Sequence, residues 1–159
     1  KTQLGLGLAV EAMKAGRNGA FFTLESTANE VFELFKSIGA DAAEFGNVFK
    51  FDASDRINAE YMMAELAEMP AGTTVVVDYL QLLDQKRVNP QLTAQIEALK
   101  SFAVERGLIM IFLSQIDRSY IAADGVCPNL GNVRLPNPLD LSLFDKACFL
   151  SESEIRFSA

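Results

Sequence analysis

The sequence predicts an α/β fold built on a mainly parallel sheet, and three observations carry that expectation. The runs AFFTLE, TTVVVD and LIMIFLSQ have the length and β-branched or aromatic content of strands buried on both faces. The segments between them carry apolar residues at helical spacing. Each run also stops on a polar residue: Glu25, Asp78 and Gln115. Ligands of such sheets bind outside the carboxyl ends of the strands, so two carboxylates and an amide are expected on one rim.

The elements follow in order. Leu4, Leu8 and Ala12, widened by Leu6, Val10 and Met13, predict a helix from about Thr2 to Ala15, with Gly5 and Gly7 permitting close backbone packing. Gly16 and Gly19 bracket the turn into the strand ending at Glu25. Thr27 and Glu30 have the spacing of a capping box for a helix running to about Ile38. Val48 to Phe51 reads as a short strand near the sheet edge, and Ile57 to Glu68 as a helix. Pro70-Ala71-Gly72 then turns the chain into the strand ending at Asp78. Asn89-Pro90 opens a long helix with the apolar face Leu92, Ile96, Leu99 and Ala103; Gly107 stops it before the strand that runs to Gln115. Residues 119–138 form a long loop marked by Gly125, Pro128, Gly131, Pro136 and Pro138. Lys146 to Leu150 predicts another strand, and EIRFS a closing strand paired to it through the SES turn.

With 159 residues, one domain with a real core is expected. No apolar run is long enough to span a bilayer, so a cytoplasmic protein without membrane contact is the expectation. The net charge of −7 argues against a strong non-specific grip on nucleic acid by this segment alone. The chain contains no histidine, which removes a Ser-His-Asp triad and a Cys-His dyad. Cys127 and Cys148 lack metal-ligand spacing; Cys148, in KACFL, reads as a small buried hydrophobe.

Lys1-Thr2 heads a helix, and an Asp closes a later apolar strand. That pairing suits a nucleoside triphosphate with Mg²⁺: a lysine for the phosphates, a hydroxyl and a carboxylate for the cation, and a helix N-terminus facing the anion. Alternative roles stay open for each residue. Asp78 could cap the following turn, Glu25 could complement the dipole of the next helix, and Gln115 could bond to loop backbone. Arg118 reads as a solvated surface arginine or as a contact to phosphate, nucleic acid or a neighbouring subunit. Tyr79, Leu80, Leu82 and Leu83 read as packing residues, and Gln85-Lys86-Arg87 as a solvated turn.

KTQLGLGLAVEAMKAG, FFTLE, VVVDYLQLL and LSQIDRS resemble the successive motifs of the DnaB-type replicative helicase ATPase, within the RecA superfamily of P-loop NTPases. The match runs from Lys1 to about Ser119, and DYLQL and the SQ-x-x-R run are its most specific parts. The resemblance implies a RecA-like three-layer sandwich that binds and hydrolyses ATP with Mg²⁺. It implies that Lys1 and Thr2 end the Walker A loop, Lys1 on the β/γ-phosphates and Thr2 on Mg²⁺. Asp78 would be the Walker B aspartate, holding Mg²⁺ through water. Glu25 would polarise the attacking water, and Gln115 would sense the γ-phosphate. The Walker A glycines and their strand are expected upstream of Lys1, leaving a gap between the strand ending at Gln115 and that at Lys146 to Leu150.

Single-stranded DNA is an implied partner, with Arg118 and Arg134 as the candidate contacts, as is a homo-oligomer such as a hexamer. Arg134 is the only base in the 119–138 loop, and Arg156 the only candidate for a C-terminal arginine finger. The alternative expectation is a nucleotide-dependent switch or loader of the same superfamily that unwinds nothing.

Overall fold

Strands β1 (Gly19–Thr23), β2 (Phe49–Asp52), β3 (Thr74–Asp78) and β4 (Ile109–Leu113) form a parallel sheet in the order β2-β1-β3-β4. The computed structural model describes residues 1–84, 86, 88–120, 127–135, 137–151 and 154–158. Period-two alternation sorts the strand side chains into two cores. Phe21 and Val76 pack with α1 (Thr2–Lys14) and α2 (Ala28–Ser37). Ala20, Phe22, Val75 and Val77 pack on the opposite face with α3 (Ala59–Leu66) and α4 (Leu92–Arg106). Helices therefore cover both faces, and every residue of β1 and β3 is buried.

Local chemistry sets the element ends. Thr27 and Glu30 form the expected reciprocal capping box at α2, and Gly107 ends α4 in the left-handed region at φ 66°. Asn58 caps α3 by accepting from Tyr61 N at 2.9 Å, a cap the sequence reading did not name. β1 stops two residues before Glu25 because the Thr23 hydroxyl accepts the Glu25 N–H at 3.0 Å, closing a turn that leaves the ladder. β4 likewise ends at Leu113, ahead of Ser114 and Gln115.

Several expectations need correction. The buried stripe of α1 is Gly5, Leu6, Ala9, Val10 and Met13, whereas Leu4 and Leu8 are 40% and 45% exposed. Apolar residues surround much of this helix, so spacing alone could not choose the face. A Cβ on Gly5 would lie 3.0 Å from Val76 Cγ1, so the helix sits flush on the sheet there; Gly7 faces open space. β4 is not buried on both faces: it is the outermost strand, and Ile109 at its start is 45% exposed. Cys148 is exposed and Cys127 is the buried thiol. Lys86 is exposed as expected of a solvated turn, while Gln85 and Arg87 lie outside the described residues.

β5 (Ala147–Leu150) and β6 (Ile155–Ser158) pair as an antiparallel hairpin, as the closing-strand pattern predicts. Of the SES turn expected between them, Glu152 and Ser153 lie outside the described residues. β5 makes no pairing with β4 among the described residues. The segment ahead of the hairpin is anchored instead by side chains. Phe144 packs edge-on against Phe112 with ring centroids 5.6 Å apart, and Lys100 of α4 donates to Leu143 O and Asp145 Oδ1. Among the described residues, no helix is long and apolar enough to cross a membrane.

Candidate functional site

Parallel register brings Thr23, Asp78 and Leu113 level at the carboxyl end of the sheet, and the start of α1 reaches the same rim. Asp78 closes β3 with its carboxylate only 3% exposed. Its partner is the Thr2 hydroxyl, which donates to Oδ2 at 2.6 Å. A buried carboxylate with a single hydroxyl donor presents oxygen ligands toward the helix N-terminus. The Asp78–Tyr79 peptide bond is cis.

Lys1 crosses to the neighbouring strand end, where its ammonium donates to Ser114 O at 2.9 Å. Ser114 Oγ in turn accepts from Gln81 Nε2 at 3.0 Å. Gln81 belongs to a 3₁₀ turn, Leu80–Asp84, that directly follows β3 and whose leucines fill the core. The same amide nitrogen donates to Arg134 O at 2.5 Å, while Gln81 Oε1 is buried with no hydrogen-bond partner. The sequence reading passed over Gln81 and Ser114. An isolated amide inside the apolar run Leu80–Leu83 was the available signal.

Glu25 and Gln115 face each other across the rim, the Gln115 amide nitrogen 3.5 Å from Glu25 Oε1, at the outer limit of a hydrogen bond. Glu25 is exposed and Gln115 half-buried. Arg134 Nη1 donates to Gln115 Oε1 at 3.0 Å. This contact arises because residues 132–134 return antiparallel to 115–117. Arg134 N donates to Gln115 O, Asp117 N donates to Asn132 O, both at 2.8 Å, and Ile116 bridges Val133. Within the 119–138 loop, then, the far limb is ordered against the strand end, and a 3₁₀ turn spans Leu130–Asn132. Residues 121–126 of that loop, Gly125 among them, and Pro136 lie outside the described residues.

The structure thus joins Thr2 with Asp78, Glu25 with Gln115, and Gln115 with Arg134, while Lys1 reaches the same rim through Ser114. Arg118 stands apart, exposed to solvent. Arg134, expected to face nucleic acid, turns its guanidinium onto Gln115 instead. Arg156 is engaged by Glu154 on the hairpin. Asp117, beside Arg134, has its carboxyl held below the ordinary aspartate range, first by the Ser119 hydroxyl, then by the Ser119 N–H and more weakly by Arg134. The apolar groove along α1, lined by Leu4, Leu8 and Ile38 among others, lies away from this chemistry.

The donor set at Asp78 and Thr2 is all oxygen, which fits Mg²⁺ rather than a thiolate- or imidazole-loving metal. Among the described residues, no three His, Cys, Asp or Glu side chains converge on a metal-sized site, so phosphate oxygens and water would complete such a shell.

No protein-family model matches the chain, and no curated protein matches it. Solved structures do. The ATPase domain of a DnaB-like helicase is 20% identical with a TM-score of 0.64 over 84% of this chain. A KaiC-like protein from the hyperthermophilic archaeon Pyrococcus horikoshii OT3 is 16% identical with a TM-score of 0.57 over 72% of it. The chain spans 59% and 57% of the lengths of those two structures. The four parallel strands, the helices on both faces and these superpositions identify the fold as RecA-like α/β.

Proposed function

We propose that this chain is the ATP-binding and ATP-hydrolysing core of a DnaB-like DNA helicase, working as a homo-oligomer. The observation that carries this reading is the convergence of the head of α1 with three adjacent strand ends, through Thr2 to Asp78 at 2.6 Å and Gln115 to Glu25 at 3.5 Å. The fold likeness to ATPases supports it.

In this reading Lys1 releases Ser114 O and places its ammonium on the β/γ-phosphates. Thr2 and Asp78 would hold Mg²⁺, which when bound bridges phosphate oxygens and neutralises their charge. Glu25 sits at the open side of the rim, where its carboxylate can orient a water and accept its proton. Gln115 offers an amide that can bond either to that water or to the γ-phosphate. Positioning and electrostatics supply nearly all of the acceleration in phosphoryl transfer, and these residues supply both.

The test is Glu25→Gln in the full-length protein. ATP affinity is expected to persist while kcat falls by about 10²- to 10⁴-fold, the usual worth of a general base. Unchanged turnover removes Glu25 from the base role. The second reading, a nucleotide switch or loader without strand separation, is favoured by one observation: Arg134 is committed to Gln115 rather than displayed to a nucleic acid. ATPase activity stimulated by single-stranded DNA, together with strand separation, selects the helicase reading; ATP hydrolysis indifferent to DNA selects the switch.

A further inference from the structure

Gln115 lies between a group that can only donate and a group that, ionised, can only accept. Arginine has no acceptor and a carboxylate no donor, so the amide between them has one satisfied orientation, oxygen toward Arg134 and nitrogen toward Glu25. Without the guanidinium the amide could rotate by half a turn and set its oxygen against the carboxylate.

The base from which Arg134 reaches is itself fixed. Its N–H donates to Gln115 O at 2.8 Å, and its carbonyl accepts from the buried Gln81 amide at 2.5 Å. Gln81 also donates to Ser114, the residue that accepts from Lys1. Both backbone groups of Arg134 are therefore tied to the rim, so little side-chain freedom remains to be lost when the guanidinium engages.

We propose that Arg134 is a positioning residue for ATP hydrolysis: it presents the amide nitrogen of Gln115 to Glu25 and, through the same contact, couples Gln115 to the returning limb of the loop. The inference rests on the ATPase reading above. It places Arg134 outside contact with nucleotide or water, acting only through Gln115. Once Gln115 turns to a γ-phosphate, Arg134 loses its acceptor, and the 132–134 limb is released from one of its ties to the strand end.

The experiment is a double-mutant cycle on the full-length protein using Arg134→Met and Gln115→Met, with kcat and KM for ATP·Mg²⁺ measured for all four proteins. If Arg134 acts through Gln115, each single variant lowers kcat by about 10- to 100-fold, the cost of a misplaced reacting group. KM stays within about twofold, and the double variant is no slower than the worse single one. Arg134→Lys, which keeps a charged donor on a flexible stem, is expected to recover most of kcat. Losses that multiply in the double variant overturn the proposal, as does a rise in KM with kcat unchanged.

If Arg134→Met fails to bind nucleotide, Arg134→Gln takes its place in the cycle, and the same multiplicative outcome overturns the proposal. Failure of the ATPase reading is distinct: there the wild-type protein has no turnover for Glu25→Gln to remove. Wild-type turnover that is lost in Glu25→Gln, with independent effects at 115 and 134, defeats this inference alone.

Discussion

Replacing Gln95 with leucine is expected to loosen two segments far from it in sequence, and the structure sets the size of the effect. Gln95 projects from α4 with 1% of its surface exposed. Its Oε1 accepts from Ala59 N at 3.1 Å, and its Nε2 donates to Leu83 O at 2.7 Å and Pro90 O at 2.8 Å. Leucine is close in volume, so the change removes bonds without opening a large cavity. Leu83 O keeps a bond from Asn89 Nδ2 at 3.3 Å, and Pro90 is exposed enough for water to replace the amide. The Ala59 N–H, at the first position of α3, has no such recourse.

One stranded buried donor costs about 1–3 kcal/mol and two weakened bonds about 1 kcal/mol each. Burying leucine in place of an amide offsets about 1–2 kcal/mol. The net loss is about 2 kcal/mol, which is roughly a 30-fold change in a local opening equilibrium. Hydrogen exchange by mass spectrometry on the full-length protein reads this locally: peptides covering 57–62 and 80–84 should exchange about 30-fold faster than in wild type. Rates unchanged within about threefold in both peptides would refute the claim that this amide clamps the turn carrying Gln81.

Three further outcomes are expected. Thr2→Val keeps the side-chain shape but removes the donor to Asp78; Mg²⁺ should then strengthen ATP binding by about 10-fold less than in wild type, with Mg²⁺-free affinity unchanged, in titrations of a fluorescent nucleotide. The Glu30 carboxyl is held below the ordinary glutamate range by the Thr27 N–H and then the Thr27 hydroxyl. Its capping contribution is therefore full above the unfolded pKa and lost as pH falls through the lowered folded one. The thermal-stability gap between wild type and Glu30→Ala should be widest near neutrality and close below about pH 4. Alkylation followed by peptide mapping should modify Cys148 and spare Cys127 in the native protein, increasingly so at alkaline pH, because burial and then Cys127 push the Cys148 thiol up.

The sheet and its helices were legible because their signals are local. The runs before Thr23 and Leu113 and the run to Asp78 need only their own side chains to read as strands, and Thr27 with Glu30 or Gly107 announces a helix end within one turn. The polar ends of those runs placed Glu25, Asp78 and Gln115 on one rim for the same reason. What escaped depends on neighbours distant in sequence. Gln95 is polar on an otherwise apolar stripe, and only the approach of Ala59, Leu83 and Pro90 makes it an inside residue. Arg134 looks like a lone loop cation until residues 132–134 fold back on 115–117. Leu4 and Leu8 are apolar yet outward because Gly5 lets the other face of α1 settle on Val76 and Leu113.

The rim divides into two halves with different mechanical character. Thr2 and Asp78 belong to regular elements packed on both sides, α1 pressed to the sheet at Gly5 and β3 buried along its whole length. That half can change little without disturbing the core. Glu25, Gln115 and Arg134 stand just beyond strand ends, exposed or half-buried, joined by side-chain contacts of 3.0 and 3.5 Å. Such contacts break at low cost, and segments that respond to ligands are drawn from this low-stability end of a structure. Gln81 spans the division, its amide nitrogen holding both Ser114 and Arg134 while its oxygen lies buried without a partner. An unsatisfied buried acceptor costs about 1–3 kcal/mol, which makes the present arrangement easier to leave than a fully bonded one. A site that must grip phosphate in one half and report its presence through the other is served by that asymmetry.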